Sequence, residues 1–383
     1  MYSRMCLLCI IVTLSLGYVA SKSGVEENDK QFSVPLEVIH PRDWNCKLMS
    51  NQSKCEVDLE TVDDAPAQRI RHGLVYLMQV VIAKQIFNVQ LDTGSDLLWI
   101  FGDKCLDGKN KNCAGHPKYV VDKKQKYKSF RIDYADEYVE GDLVHDEVHI
   151  TDLITVHDMQ FGAADDLSEA QDGNDGVIGL NMNIEYNQPS AIYFMIEQKL
   201  ITRPVYSLYL EAGPNKKVGG EITFGGRMDK VIVPKSAVGV DMLPGGQTII
   251  KMTSISINKD EFCIKGMGPC MVEVDSGAPA VYSPKAFVDV INAIIHPDDE
   301  NMVACESRSI APTIEILFGK QRITLEPEYY IILIEKECYS TIVLNPLGEG
   351  SADFIFGVSF FYKYYIEFDF TPKKEAIIFY NKV

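Results

Sequence analysis

From Tyr76 to Leu91 apolar and polar residues alternate along the chain, the period of two shown by strands with one buried face. Leu97-Leu98-Trp99-Ile100 continues the apolar theme. The alternation Val144, Asp146, Val148, Ile150 predicts a further strand whose other face turns His145 and His149 to solvent. Two segments switch to helical spacing. Ser190 to Leu200 places Ile192, Ile196 and Leu200 on one face. After Ser283-Pro284, read as N-cap and first-turn proline, Phe287, Val288, Ile291 and Ile295 fall together. Between Glu211 and Pro234 the chain passes the pairs Gly219-Gly220 and Gly225-Gly226, the expected crossing from one half to the other. The closing third is otherwise short runs rich in Ile, Phe and Tyr. Few helices and many short strands make the expected fold mainly β.

One piece of this pattern is written twice. Val89-Gln90-Leu91-Asp92-Thr93-Gly94-Ser95 is echoed by Val272-Glu273-Val274-Asp275-Ser276-Gly277-Ala278. In each, a carboxylate ends a short apolar alternation, a hydroxyl residue follows, and a glycine able to turn the chain sharply comes next. Downstream of each lies a triplet of two apolar residues and a glycine, Val177-Ile178-Gly179 and Ile355-Phe356-Gly357. The triplets end 87 and 82 residues after their aspartates. Asp92 and Asp275 stand 183 residues apart, about the length of one domain, so each is expected to tip a strand in its own half. Two such halves packed face to face would bring the carboxylates together.

These residues, with Trp99, Tyr134 ahead of Gly141, Asp175-Gly176 before the first triplet and Phe224-Gly225-Gly226, resemble the pepsin-like aspartic peptidases from about Gly73 to Val383. The resemblance implies a bilobal fold of two related β domains with a cleft between them, here 72–230 and 231–383. It implies Asp92 and Asp275 as the catalytic pair, no cofactor, a monomer, and a peptide or protein substrate. Thr93 and Ser276 would tie the two turns together, Ser95 would bond the outer oxygen of Asp92, and Gly94 and Gly277 would shape the cleft. Ile132 to Gly141 matches a hairpin flap, with the Tyr134 hydroxyl near the Trp99 indole. The chain departs from the family pattern at Ala278, which lacks the hydroxyl of Ser95, at Ala135 and Glu137 where glycine is usual, and at Val358 where aspartate is usual. Losing a donor at position 278 predicts a working pH shifted upward. Asp136 and Glu137 add negative charge above the cleft, which favours basic residues in a substrate.

Of the 383 residues 46% are hydrophobic and 24% charged, enough apolar material for two cores. The net charge of −17 argues against nucleic acid and anionic membrane as partners, since both reward positive charge. Lys118, Lys123, Lys124, Lys126, Lys128 and Arg131 gather positive charge in one stretch, read as a solvated loop. Residues 1–21 read as a secretory signal, with Arg4, an apolar run from Met5 to Leu16 and small residues at Ala20 and Ser21. No later stretch has the length of a membrane span. The expectation is the secretory pathway, ending outside the cell or in an acidic compartment of lysosome or vacuole type.

Apart from Cys6 and Cys9, the cysteines fall into the local couples Cys46 with Cys55, Cys105 with Cys113, Cys263 with Cys270 and Cys305 with Cys338. In a secreted chain these favour disulfides, and the last three couples sit where the resembling enzymes carry theirs. No couple has the short C-x-x-C interval of a zinc site, and His145-Asp146-Glu147-Val148-His149 lacks the H-E-x-x-H order, so no metal is expected. Residues 22–71 read as a pro-segment, itself a partner of the cleft. Phe32-Ser33-Val34-Pro35-Leu36-Glu37-Val38 resembles the strand that opens pepsin-like propeptides, and Arg69-Ile70-Arg71 offers a removal site. The stretch holds 7 Lys or Arg against 10 Asp or Glu, unlike the usual basic inhibitory segment, so a permanent N-terminal extension stays open as the alternative. Asn51-Gln52-Ser53 is the expected glycosylation site. For function, the leading expectation is an aspartic endopeptidase and the alternative a catalytically inactive binding protein on the same scaffold. A serine hydrolase lacks its G-x-S-x-G elbow here.

Overall fold

The computed structural model describes residues 30–39, 75–106, 113–134, 137–152, 154–168, 173–182, 190–211, 219–263, 270–334, 336–346 and 352–383. The expected signal segment, Cys46, Cys55, Asn51, Arg69-Ile70-Arg71, Ala135 and Asp136 lie outside these residues.

The architecture is mainly β and bilobal, built on the same strand arrangement used twice. In the first half, strand Gln85–Asp92 runs parallel to Gly176–Gly179, with Asp92 opposite Gly179. Gly176–Gly179 pairs antiparallel with Leu98–Phe101, which in turn runs parallel to Ile154–Leu167. In the second half Cys270–Val274 runs parallel to Phe354–Phe356, Phe354–Phe356 pairs antiparallel with Val281–Ser283, and Val281–Ser283 runs parallel to Ile342–Leu344. The repeated triplets are therefore the strands that flank the repeated aspartates, and this is why their spacings nearly agree.

Their glycines are demanded by contact rather than by turn geometry. A methyl group on Gly179 would lie 2.6 Å from the backbone nitrogen of Asp96, and one on Gly357 2.2 Å from the carbonyl oxygen of Ala280. Each glycine lets the chain leaving an aspartate turn cross directly over its flanking strand. Val358, the departure next to Gly357, opens the short helix Val358–Lys363 and is buried, its N–H donating to the Ala278 carbonyl at 3.0 Å. An aspartate there would put a carboxylate among apolar side chains.

Among the described residues the lobes share a thirteen-stranded sheet. One end carries the first-lobe strands. The other holds Gly220–Phe224, Val205–Leu210 and the late strands Tyr364–Asp369 and Ala376–Asn381, so the end of the chain returns to the seam between lobes. Strand Phe32–Ile39, from the expected pro-segment, lies inside this sheet between Gly220–Phe224 and Val75–Ile82.

Four local expectations are corrected. The first of the two expected helices is Ala191–Glu197, shorter than expected, and buries Ala191, Ile192 and Met195, whereas Ile196 and Leu200 are only partly covered. Helix Lys285–Ile295 buries the expected Phe287, Val288, Ile291 and Ile295, yet Ser283 does not cap it. Ser283 is still strand, and its hydroxyl turns back to the Val281 carbonyl at 3.4 Å. Lys118 is not part of a solvated run: its ammonium lies over the Phe101 ring at 4.4 Å and donates to the Cys113 carbonyl. Burial lowers its pKa to about 8, although the nearby Asp175 charge acts the other way. His149 is only half-exposed and faces the Thr155 hydroxyl at 2.8 Å, whereas His145 is exposed.

Disulfides join Cys105 to Cys113, Cys263 to Cys270 and Cys305 to Cys338. Among the described residues no helix is long and apolar enough to cross a membrane.

Candidate active site

Both aspartate turns curl back on themselves in the same way. The Gly94 N–H donates to Asp92 Oδ1 at 2.8 Å, and the Gly277 N–H donates to Asp275 Oδ1 at 2.7 Å. The hydroxyl residues then cross the seam. Thr93 Oγ1 donates to the Val274 carbonyl at 2.8 Å and accepts the Ser276 N–H at 2.9 Å. Ser276 Oγ donates to the Leu91 carbonyl at 2.9 Å and accepts the Thr93 N–H at 3.2 Å. All four bonds are buried, where water cannot replace them, so they fix one turn against the other.

This grip places each glycine against the opposite carboxylate. A methyl on Gly94 would lie 2.8 Å from Asp275 Cγ, and one on Gly277 2.8 Å from Asp92 Oδ1. Asp92 and Asp275 come within hydrogen-bonding reach of each other. Burial, followed by the charges of Asp92 and Glu273, pushes the Asp275 carboxyl well above the ordinary carboxylate range; its bond from Gly277 opposes this only in part. Asp92 has a further donor, since Ser95 Oγ bonds its Oδ2. At the mirror position Ala278 is buried and has none to offer.

Above the pair stands the hairpin of Lys128–Tyr134 and Glu137–Thr151. Trp99, fully buried, donates from Nε1 to the Tyr134 hydroxyl at 2.9 Å. Burial, with the Asp92 charge adding, pushes the tyrosine pKa far up, so the hydroxyl stays protonated at any working pH. Arg131 braces the hairpin from outside by stacking on Tyr138 at 4.1 Å and pairing with Asp133 and Glu140. Behind the first turn, Asp175 Oδ2 accepts the Asn88 N–H at 2.8 Å, and its Oδ1 lies 2.9 Å from His116 Nδ1.

Four contributors escaped the sequence reading. Thr248 donates from Oγ1 to the Thr93 carbonyl at 2.8 Å, a contact with no sequence signal. Gln90 Nε2 donates across the seam to the Gly277 carbonyl at 3.3 Å. Glu273, at the equivalent place in the other half, has its carboxyl pushed up to about 7 by burial and by the Asp92 charge. Asp96 is pushed up to about 6 by burial, with Asp92 again adding. Gln90 and Glu273 were visible as polar residues two places before each aspartate. Among the described residues no group of three or more His, Cys, Asp or Glu is arranged to hold a metal.

Two buried carboxyls held together, one favoured in its protonated form, can take a proton from a water and give one to an acceptor at the same time. A family model described as eukaryotic aspartyl protease matches residues 75–377. Pregnancy-associated glycoprotein 1 of Bos taurus is 27% identical over 322 residues, 79% of this chain and 81% of that protein. Vacuolar protease A of Neurospora crassa is 28% identical over 313 residues, 77% of this chain and 76% of the relative. Vacuolar aspartic protease of Candida albicans is 26% identical over 323 residues, with coverage of 80% and 75%.

Proposed function

The chain belongs to the eukaryotic aspartyl protease family, and from that premise we propose that it is an endopeptidase hydrolysing peptide bonds of proteins with water activated between Asp92 and Asp275. The observation that carries this reading is the buried four-bond grip of Thr93 and Ser276, which holds the two carboxyls face to face.

As in aspartic proteases generally, two such carboxyls share one proton, because both cannot ionise cheaply at close range. The local donors assign the resting state. Asp92 carries two bonds that favour its charge, from Gly94 and Ser95, whereas Asp275 has the Gly277 bond and is pushed toward protonation. The ionised Asp92 then draws a proton from the water as it attacks the peptide carbonyl. Asp275 protonates the carbonyl oxygen as it becomes tetrahedral, and a proton returned from the pair to the nitrogen completes cleavage. Tyr134, held by Trp99, closes the site from above and keeps bulk water out.

The disulfides among the described residues suit an oxidising secretory route. Strand Phe32–Ile39 bears on residues 22–71 as a pro-segment. Lys30 just ahead of it bonds the Lys199 carbonyl at 3.2 Å rather than the aspartates, so this lysine is not the autoinhibitory one. Removing the segment would open a place inside the sheet that another strand must fill. The second reading, a binding protein without catalysis, rests on the missing donor at Ala278.

The test is cleavage of mixed peptides from about pH 3 to 7, with and without a statine-type inhibitor, on protein whose N-terminus is defined by mass spectrometry. Cleavage that the inhibitor blocks and Asp92→Ala abolishes supports the endopeptidase. Silence at every pH, with the inhibitor still bound, favours the binder.

A further inference from the structure

Strand Cys270–Val274 ends one residue before Asp275, and its two faces differ. Val272 and Val274 are buried in the core of the second lobe, whereas Met271 and Glu273 are only partly covered. Because side chains alternate along a strand, Glu273 stands on the face away from that core, partly covered and two residues before Asp275. The residues beside it across the sheet are Ile249 on one side and Ile355 on the other. Glu273 is thus a carboxylate with aliphatic walls. The equivalent residue of the first lobe, Gln90, is neutral and has its amide engaged by the Gly277 carbonyl.

Among the described residues its charged neighbours are few. From its own strand and the facing turns come Asp275 and Asp92, both acidic. On the strand Ile249–Met252 the exposed Lys251 lies opposite Met271, farther from the dyad, and ahead of Phe354–Phe356 Asp353 accepts the Met271 N–H at 2.8 Å. Burial and the Asp92 charge are the influences that move Glu273, and no cation is among them. A carboxylate of this kind, partly desolvated and facing negative charge, is short of a positive partner.

We propose that Glu273 is a specificity-determining residue that receives the cationic side chain of a lysine or arginine flanking the bond to be cleaved. The aliphatic stem of such a side chain lies along Ile249 and Ile355, and its charged end meets the carboxylate. Cleavage itself is the function proposed above, and this inference rests on it. The acidity of the open cleft adds to the attraction without choosing a position, whereas Glu273 does choose one, because it is fixed on the strand that carries Asp275.

The proposal has a pH signature. Burial and the Asp92 charge push the Glu273 carboxyl up to about 7, so acid favours its protonated form and a cationic side chain must displace that proton on binding. Preference for lysine therefore grows as pH rises toward neutrality.

Two peptide series test this, identical except for lysine or norleucine on either side of the cleaved bond, with kcat/KM measured from about pH 4 to 7 for the natural chain and for Glu273→Gln. Glutamine keeps the shape and removes the charge. The expected result is a lysine preference at one flanking position, roughly tenfold or more near neutrality and smaller in acid. It disappears in Glu273→Gln when read as the lysine-to-norleucine ratio of kcat/KM within that variant at each pH, a ratio in which any change of overall rate from the altered charge beside Asp275 cancels. Equal cutting of both series by the natural chain overturns the proposal and leaves the endopeptidase standing. A lysine preference that survives in Glu273→Gln also overturns it and assigns the preference to another acidic group, such as Glu137. If no peptide of either series is cut, the endopeptidase reading fails and this proposal goes with it.

Discussion

The two halves of the centre have nearly the same backbone and quite different electrostatics. On the first-lobe side Asp92 is flanked by Ser95, which donates to it, and by the neutral Gln90. On the second-lobe side Asp275 is flanked by Ala278, which cannot donate, and by Glu273, whose charge repels it. The shared strands, glycines and cross-seam hydroxyls bring the two carboxyls together. The residues that differ decide which of them keeps the proton. Symmetry thus supplies proximity, and its local failure supplies the division of labour.

The largest test of that comparison removes one carboxylate at a time. Asp92→Asn and Asp275→Asn should each lower kcat by roughly a thousandfold or more, since each removes one partner of the proton exchange. Both variants should fold, because asparagine still accepts the glycine N–H at each turn. A variant that keeps more than about a tenth of the natural kcat would break the assignment of two roles to two residues.

Next in size is the grip. Thr93→Val and Ser276→Ala each remove a hydroxyl that both donates and accepts across the seam, and each leaves buried backbone groups unpaired. A loss of roughly 2–3 kcal/mol in unfolding free energy is expected for either, read by denaturant titration. Because the grip is reciprocal, the double variant should cost less than the sum of the two. Strict additivity would show the two hydroxyls acting independently, contrary to the geometry.

Much of this centre was legible in the sequence, for a physical reason. A repeated motif states its own partner, so Asp92 and Asp275 could be brought together from their shared surroundings, and the triplets Val177-Ile178-Gly179 and Ile355-Phe356-Gly357 carried the strand pairing with them. What stayed hidden was whatever depends on three-dimensional contact without a repeat. Thr248 reaches Thr93 from a loop with no motif. Lys118 looked like one more solvated lysine until the fold set it over Phe101. Ser283 had the chemistry of a cap and lost the role because the strand before it runs one residue further. Glu273 was visible in the sequence as the counterpart of Gln90, but its weight comes from burial beside Asp92, which alternation alone does not measure.

The smallest expected effect addresses the missing donor. The structure sharpens the sequence expectation of an upward-shifted working pH by locating the effect on Asp275, the member that holds the proton, and hence on the alkaline limb of the pH profile. Ala278→Ser would place a hydroxyl beside the Asp275 carboxyl and favour its ionised form. The alkaline limb of kcat/KM should move down by about 1 pH unit, equivalent to roughly 1.4 kcal/mol. The acid limb, which the new hydroxyl does not touch, should stay in place. Stability gives a second readout with a definite sign. A carboxyl whose folded pKa lies above its unfolded value holds its proton better in the folded state, so folding is favoured in acid and loses that contribution as pH rises through the folded pKa. Ala278→Ser lessens the rise, so it should raise the melting temperature at neutral pH and leave it unchanged below about pH 3. Movement of the acid limb instead would mean that Asp92 and Asp275 have their protons the other way round, and the comparison between the two halves would have to be inverted.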